Sequence, residues 1–337
     1  MLLYLHIPFC DSKCHYCSFN SYTHLFHTLE QYFDALYKQL EYELSCCDEV
    51  IETVFIGGGT PSSVDAKYYE PIFAMLAPTI KEITIEANPN SANALWQEKI
   101  AKLGVDRISF GVQSFQSQKL KHLNRSHSAQ SAIEAIKTAK QNFQRVSMDM
   151  IYNCQIDTSE LLQKDLDTFF GLDIEHISCY ELTIEEGTKF EDMQLKEDIY
   201  SQFIQKNLIS CGFEQYEVSN YGNPSLHNLG YWEYKNYIGV GAGAIGYKDG
   251  IRYSCEKDVK QYIRNPFFKT EEVLDTKDIL FEKLFLGLRS KVGIQIDKSM
   301  QKKADQLVKR EKLIKIKNRY YNKDFFLADE LALYLLK

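Results

Sequence analysis

Six short apolar runs in the first 181 residues alternate with amphipathic stretches of helical period, and this alternation constrains the fold more than any other feature of the chain. The runs are Leu2–Ile7, Thr53–Ile56, Glu82–Ala87, Arg107–Val112, Val146–Tyr152 and His176–Glu181. They are rich in β-branched and aromatic residues, and several end in polar residues or glycine, which marks them as strands. The stretches between them have readable helix ends. Thr28 with Gln31 reads as a capping box, ahead of an apolar stripe of Leu29, Phe33, Leu36 and Leu40. Ser91 is placed to cap a helix that stops at Gly104. Ser128 is placed to cap one carrying Ile133, Ile136 and Ala139, and Thr158 one that ends at Gly171. Strand–helix repeats of this kind require parallel strands and right-handed crossovers. Six units are too few for a closed eight-unit barrel, so the expected fold is α/β, an open, partial (β/α)6 barrel. Its chemistry belongs at the C-terminal ends of the strands. Cys10, the Gly57–Thr60 turn, Glu86, Gln113 and Asp149 all fall there.

After about residue 190 the pattern changes. A helix is expected over Lys196–Ser210, stopped by Gly212, followed by "FEQYEVSNY" and the glycine-rich "YIGVGAGAIGY". The basic, aromatic tail reads as a helix, a small hairpin and a final helix. The expected division is a partial barrel over 1–190 and a smaller α+β region over 191–337.

The length of 337 residues suits one large domain with an appendage, and 45% hydrophobic with 25% charged residues is an ordinary globular composition. A net charge of −7 argues against a protein held to nucleic acid by phosphate contacts. No run of about 18 apolar residues exists, so no transmembrane span is expected. The opening "MLLYLHIPFC" has neither a basic n-region nor a small-residue cleavage site, so it does not read as a signal peptide. Nine cysteines, an odd count without an export signal, point to a reducing, cytoplasmic setting. There thiols serve as ligands or as buried apolar groups.

Three of those thiols, Cys10, Cys14 and Cys17, lie within eight residues just after the first strand. Structural zinc takes four protein ligands, and no fourth cysteine is near; His15 is adjacent to Cys14 and badly placed to share an ion with it. A cubic [4Fe–4S] cluster needs one ligand per iron, so three cysteines leave one iron open to a small molecule. Exposed loop thiols without such a task are oxidation hazards.

The spacing C-x3-C-x2-C, with an aromatic before the last cysteine, resembles the signature of the radical SAM superfamily. The resemblance implies S-adenosylmethionine bound to the open iron and cleaved by one electron to a 5′-deoxyadenosyl radical. "YLHIPFC", "GGGTPS", "SFGVQSF", "LNRSHS" and "DMIY", in that order, further resemble the oxygen-independent coproporphyrinogen dehydrogenase family, HemN, and its paralogue family, HemW. That likeness runs from Tyr4 to about Tyr247. It implies that Gly58, Gly59 and Thr60 hold the amino end of the cofactor, and that Glu86 meets its ammonium or a ribose hydroxyl. It further implies cofactor contacts for Gln113, Arg125 (carboxylate) and Asp149 (ribose), with Tyr4 and Tyr16 flanking cluster and adenine.

Within this resemblance, position 19 discriminates. HemN carries a fourth cysteine two residues after the third, and here that residue is Phe19. HemN also has an N-terminal segment ahead of its first strand, whereas this sequence opens at the strand. Both differences fit HemW, which is regarded as a haem-trafficking family. Residues 227–232, "HNLGYW", match the H-N-x-x-Y-W motif of HemW implicated in haem binding. A neutral imidazole is a good axial ligand, and Tyr231 and Trp232 offer flat apolar surface. The turn signals of "YGNPSL" place His227 in a loop at a pocket mouth. The expected function is therefore a haem chaperone on a radical SAM scaffold, with haem as cargo and haem-acceptor proteins as partners, cytoplasmic or peripheral at the membrane. A coproporphyrinogen III dehydrogenase and a radical SAM enzyme of unknown substrate are the alternatives, so whether the chain is an enzyme stays open here.

Overall fold

A computed structural model describes residues 1–194 and 199–336; the expected helix start at Lys196 lies outside them. Six strands stand side by side in chain order, all parallel: β1 (Leu2–Ile7), β2 (Thr53–Gly58), β3 (Glu82–Ala87), β4 (Arg107–Gln113), β5 (Arg145–Tyr152) and β6 (His176–Glu181). Helices cover the sheet, which is why these strands read as almost continuous apolar runs instead of alternating ones. Leu2, Leu3, Leu5 and Ile7 of β1 are all buried, although neighbours point to opposite faces.

The connecting helices form for local reasons that differ in part from those expected. Ser128 caps the Ala129–Asn142 helix in a reciprocal box with Ser131. Thr158 caps Ser159–Leu172, accepting from the Leu161 N–H at 3.3 Å. That helix runs past Gly171 and turns left-handed at Asp173 instead. Thr28 makes no capping box: a 3-10 turn over Phe26–Thr28 leads straight into the Leu29–Ser45 helix, and the Thr28 hydroxyl donates to the Leu25 carbonyl at 2.8 Å. Asn93, not Ser91, caps the Ala94–Leu103 helix, because the Ser91 hydroxyl is bonded to that of Ser62 at 2.6 Å. Cys154, Cys179 and Cys255 are buried among apolar groups, whereas Cys211 is exposed at a helix end.

The sheet does not stop near residue 190. β7 (Asn220–Gly222) pairs antiparallel with β6. On the other side, β8 (Tyr237–Val240) runs parallel to β1, followed by antiparallel β9 (Ile245–Lys248), β10 (Ile251–Cys255) and β11 (Lys269–Val273). Eleven strands result, in the order β11-β10-β9-β8-β1-β2-β3-β4-β5-β6-β7. The open edge of β1 is thereby hydrogen-bonded, so the segment that reads as a new region belongs to the main sheet. A second core gathers only from the Thr276–Leu288 helix onward. It packs around a small antiparallel sheet of β12 (Ile294–Gln295), β13 (Leu313–Ile316) and β14 (Arg319–Asn322), with helices Gln301–Lys309 and Ala328–Leu336. Among the described residues, no helix is long and apolar enough to cross a membrane.

The "HNLGYW" segment is helical, within Leu226–Trp232, and not a loop. Glu82, fully buried at the start of β3, holds that helix in place. Its carboxylate accepts from the backbone N–H groups of Leu226 and His227 and from the Ser225 hydroxyl, at 2.9–3.1 Å, and it pairs with Arg145 at 2.5 Å. Glu82→Ala would strand all of these donors in a dry site. It is expected to lower the unfolding free energy by about 3–5 kcal/mol in a denaturant titration, whereas Lys102→Ala, which breaks an exposed pair, should cost under about 1 kcal/mol.

Candidate functional site

A cavity of about 780 Å³ opens at the C-terminal ends of the parallel strands, with Cys10, Cys14 and Cys17 on its wall. Their loop is tied at both ends. The Cys10 N–H donates to the Tyr22 carbonyl at 3.1 Å, and the Lys13 ammonium donates to the Phe19 carbonyl at 2.7 Å and the Ser21 hydroxyl at 2.8 Å. Cys10 Sγ shares a hydrogen bond with Thr60 Oγ1 at 3.2 Å. Burial pushes the Cys10 thiol up, against the pull of that hydroxyl. Among the described residues no three Cys, His, Asp or Glu side chains gather about a single ion. Gly58 (φ +116°) and Gly59 carry the chain past the thiols: a Cβ at Gly58 would sit 2.6 Å from the His6 ring, and one at Gly59 2.7 Å from the Phe9 carbonyl. No other residue leaves this wall of the cavity as low.

Across from the thiols, the strand ends present polar groups on an otherwise apolar sheet. Glu86 accepts from the Gly58 N–H at 3.2 Å. Burial, reinforced by the nearby Asp149 charge, pushes the Glu86 carboxyl up to about 7. Asp149 is also raised by burial, against hydrogen bonds from Ser178 and Ser109. Gln113 ends β4 with a left-handed backbone (φ 67°), and its side-chain oxygen is buried without a partner. Arg125 is not the surface ion pair its type suggests. Its guanidinium donates to Cys14 Sγ at 3.2 Å, to Asn88 Oδ1 at 2.5 Å and to the Gly111 carbonyl, and its Nε has no partner. Unpaired Gln113 Oε1 and Arg125 Nε, two carboxylates held in a low-dielectric pocket, three thiols and a glycine cradle form a site built for a polar group that carries both charges. A [4Fe–4S] cluster with S-adenosylmethionine has that character.

Tyr16 lines this cavity, together with Gly58, Gly59 and Thr60, whereas Tyr4 does not. The Tyr4 ring faces a second cavity, of about 680 Å³, and its hydroxyl is bonded to His6 Nδ1 at 3.0 Å. Gly58, Glu86 and Phe19 line both cavities and form their common wall; Phe19 itself is 66% exposed. His227 reaches neither cavity mouth. It is 1% exposed, Nδ1 is bonded to Thr53 Oγ1 at 2.8 Å, Nε2 to the Tyr231 hydroxyl at 3.0 Å, and its ring packs on Phe55. As folded, the imidazole has no free nitrogen for a metal, because the helix that carries it lies against β2 rather than in a loop. Asn88 and Ser178 were not anticipated. Asn88, which bridges Arg125 and Thr60, stands in the turn signal "NPN" after β3, but nothing local marks its partners.

Residues 4–162 match the Radical SAM superfamily. The chain is 34% identical over 319 residues to the "Heme chaperone HemW" of Lactococcus lactis, covering 88% of this chain and 83% of that protein. It is 32% identical to the protein of the same name from Bacillus subtilis (86% and 84% covered), and 33% identical to that of Escherichia coli (83% and 80%). Among solved structures, the fold is that of coproporphyrinogen III oxidase HemN from Escherichia coli, a radical SAM enzyme, with a TM-score of 0.81 over 99% of this chain and 89% of that one, at 18% identity.

The raised Glu86 carboxyl has a consequence that stability measurements read directly. A carboxyl whose folded pKa lies near 7 binds more protons in the folded than in the unfolded chain between about 4.5 and 7, so it weakens the fold as pH rises through that window. Glu86→Gln is therefore expected to stabilise the cofactor-free protein at pH 8 by on the order of 1–2 kcal/mol, discounted for solvent screening, relative to its effect at pH 4. Thermal melts at the two pH values check this; an equal effect at both would remove the buried-charge account of Glu86.

Proposed function

The chain belongs to the HemW family of the radical SAM superfamily, and from that premise we propose that it is a cytoplasmic haem chaperone, binding haem and handing it to acceptor proteins from a scaffold that carries a [4Fe–4S] cluster and S-adenosylmethionine. Cys10, Cys14 and Cys17 would ligate three irons. When bound, the cluster supplies one-electron chemistry at its open iron. The chain's own residues position and shield. Arg125 sets a positive charge against the Cys14 sulfur and, through its unpartnered Nε, can meet a carboxylate. Gln113 Oε1 can accept from an ammonium or hydroxyl. Glu86 and Asp149 would accept from the cofactor's ammonium and ribose, which returns both to the charged state that burial opposes. Gly58 and Gly59 admit the ligand's polar end, and Tyr16 closes the wall against water.

The observation that supports a chaperone over a coproporphyrinogen dehydrogenase is the similarity to HemW proteins over more than four-fifths of the chain, combined with Phe19 where HemN carries a fourth cysteine. The HemN fold is shared by both readings and separates neither.

Anaerobically reconstituted protein is expected to be brown, with an oxygen-labile cluster, and Cys14→Ala should abolish the cluster's broad absorption. A variant that keeps the parent's iron content would overturn the ligand assignment. The same protein is expected to bind haem in a spectral titration while failing to convert coproporphyrinogen III in an anaerobic assay. Robust turnover, or no haem binding, would overturn the chaperone reading.

A further inference from the structure

The charge of this chain is unevenly spread. Between Lys291 and Lys323 lie eleven lysines and arginines against three acidic residues, a net of +8, so the remaining residues carry −15 and the whole-chain value of −7 averages the two. This basic segment is the middle of the second core: β12, the Gln301–Lys309 helix and the β13–β14 hairpin. Two of its three acids are already occupied. Asp297 accepts from the backbone N–H groups of Ser299 and Met300 at 2.8 and 3.2 Å, and Asp305 accepts from the Gln301 side chain at 2.9 Å and the Tyr320 hydroxyl at 3.0 Å. The third, Glu311, stands in the left-handed turn between helix and hairpin (φ 58°). Among the described residues, none of the eleven cations forms an ion pair. Charge gathered in this way repels itself, and an anionic partner relieves the repulsion.

The cations have a shape. Ala304 and Leu307 bury one side of the helix, while Lys302, Gln306, Lys309 and the following Arg310 are exposed at the i, i+4, i+7 and i+8 spacing of a single face. Lys303 is turned away, donating to the Leu335 carbonyl at 3.2 Å. The hairpin that follows exposes Lys315 and, at its two-residue tip, Lys317 (φ 55°). It is anchored by Arg319, whose Nε donates to the Val292 carbonyl at 3.0 Å. Lys315 lies over the ring of Tyr320, whose hydroxyl reaches Asp305 of the helix, so Lys315 is on the helix side of the small sheet. Ile314 and Ile316, both exposed, alternate with it and face the other way. A flat bilayer therefore meets either the basic helix side or the isoleucines, not both. A groove is different. An α-helix is about 10–12 Å across and enters the major groove of a DNA duplex, about 12 Å wide, and the hairpin then lies along the phosphates beside it.

We infer that this appendage binds duplex DNA, with Lys302, Lys309 and Arg310 at the major groove and Lys315 and Lys317 on neighbouring phosphates. The binding depends little on base sequence, because the side chains of that helix face, Gln306 apart, are cations that suit phosphates. It uses neither cavity and is independent of the chaperone reading.

Fluorescence anisotropy of a labelled duplex of about 20 base pairs, titrated with anaerobic holoprotein between about 50 and 200 mM salt, tests this. About five phosphate contacts give a slope of log affinity against log salt near −4.5, a loss of roughly 500-fold across that range. Lys302→Gln combined with Lys309→Gln should reduce the slope by about 2 and weaken binding about tenfold or more, with iron content and melting temperature unchanged. Lys137→Gln combined with Lys164→Gln, exposed on helices of the main sheet, should leave affinity and slope as they are. A parent protein that does not bind the duplex at the lowest salt overturns the inference, and so does unchanged affinity in the Lys302/Lys309 variant. Tighter binding to a single strand of the same length overturns the groove geometry. Tighter binding to vesicles of anionic phospholipid, or competition by polyglutamate as strong as that by unlabelled duplex, assigns the patch to a membrane or an acidic protein and overturns the inference as well.

Discussion

Parallel pairing of β1 to β6 is the constraint on which everything else depends. A parallel neighbour can be reached only by a crossover, so each strand must be followed by a loop on one edge of the sheet and a helix that returns to the other. The loop after β1 and the ends of β2, β3, β4 and β5 therefore meet at one edge, although their residues are up to 139 positions apart between Cys10 and Asp149. Apolar side chains on both faces hold the strands, and that burial leaves the strand ends as the place where polar groups cluster.

The polar groups at that edge are organised by one guanidinium. Arg125 touches the thiol loop at Cys14, the end of β3 through Asn88 and the end of β4 through the Gly111 carbonyl. It thus fixes the position of the thiols relative to the carboxylates on the far side. Glu86 and Asp149 face each other in a dry site, which raises both and leaves them ready for a cationic partner. A second cavity shares the wall of Gly58, Glu86 and Phe19. One carboxylate, one glycine and one ring thus separate the two cavities.

Strand positions were legible because a buried parallel strand is a run of apolar, β-branched residues whatever its neighbours do; five of the six strands agree at both ends to within one residue. Helix caps were less legible. Ser91 and Asn93 are both good caps by type, and only the hydroxyl of Ser62, brought across from the turn after β2, decides between them. The extension of the sheet by β8 to β11 was hidden for a similar reason. The need it meets is the bare edge of β1, more than 200 residues earlier in the chain.

The site divides along the same line. The three cysteines, the glycine turn and Glu86 declare themselves in sequence, because each is an unusual residue for its position: clustered thiols in a loop, consecutive glycines after a strand, a carboxylate in an apolar run. These are local oddities, and local spacing is enough to determine them. Where Arg125, Tyr4 and His227 point was decided only by tertiary structure. An arginine alone reads as a surface charge, and here it is buried on a sulfur; the resemblance of "HNLGYW" to a family motif implied a ligand histidine, and here both nitrogens are taken by Thr53 and Tyr231. The chemistry of a polar side chain is set by the groups that satisfy its hydrogen bonds, and those arrive from strands and helices far away in the chain. The sequence by itself thus determined the parallel sheet and the thiol cluster, and the packing of one helix against β2 and β3 decided that Tyr231 of "HNLGYW" lines a cavity while His227 is buried.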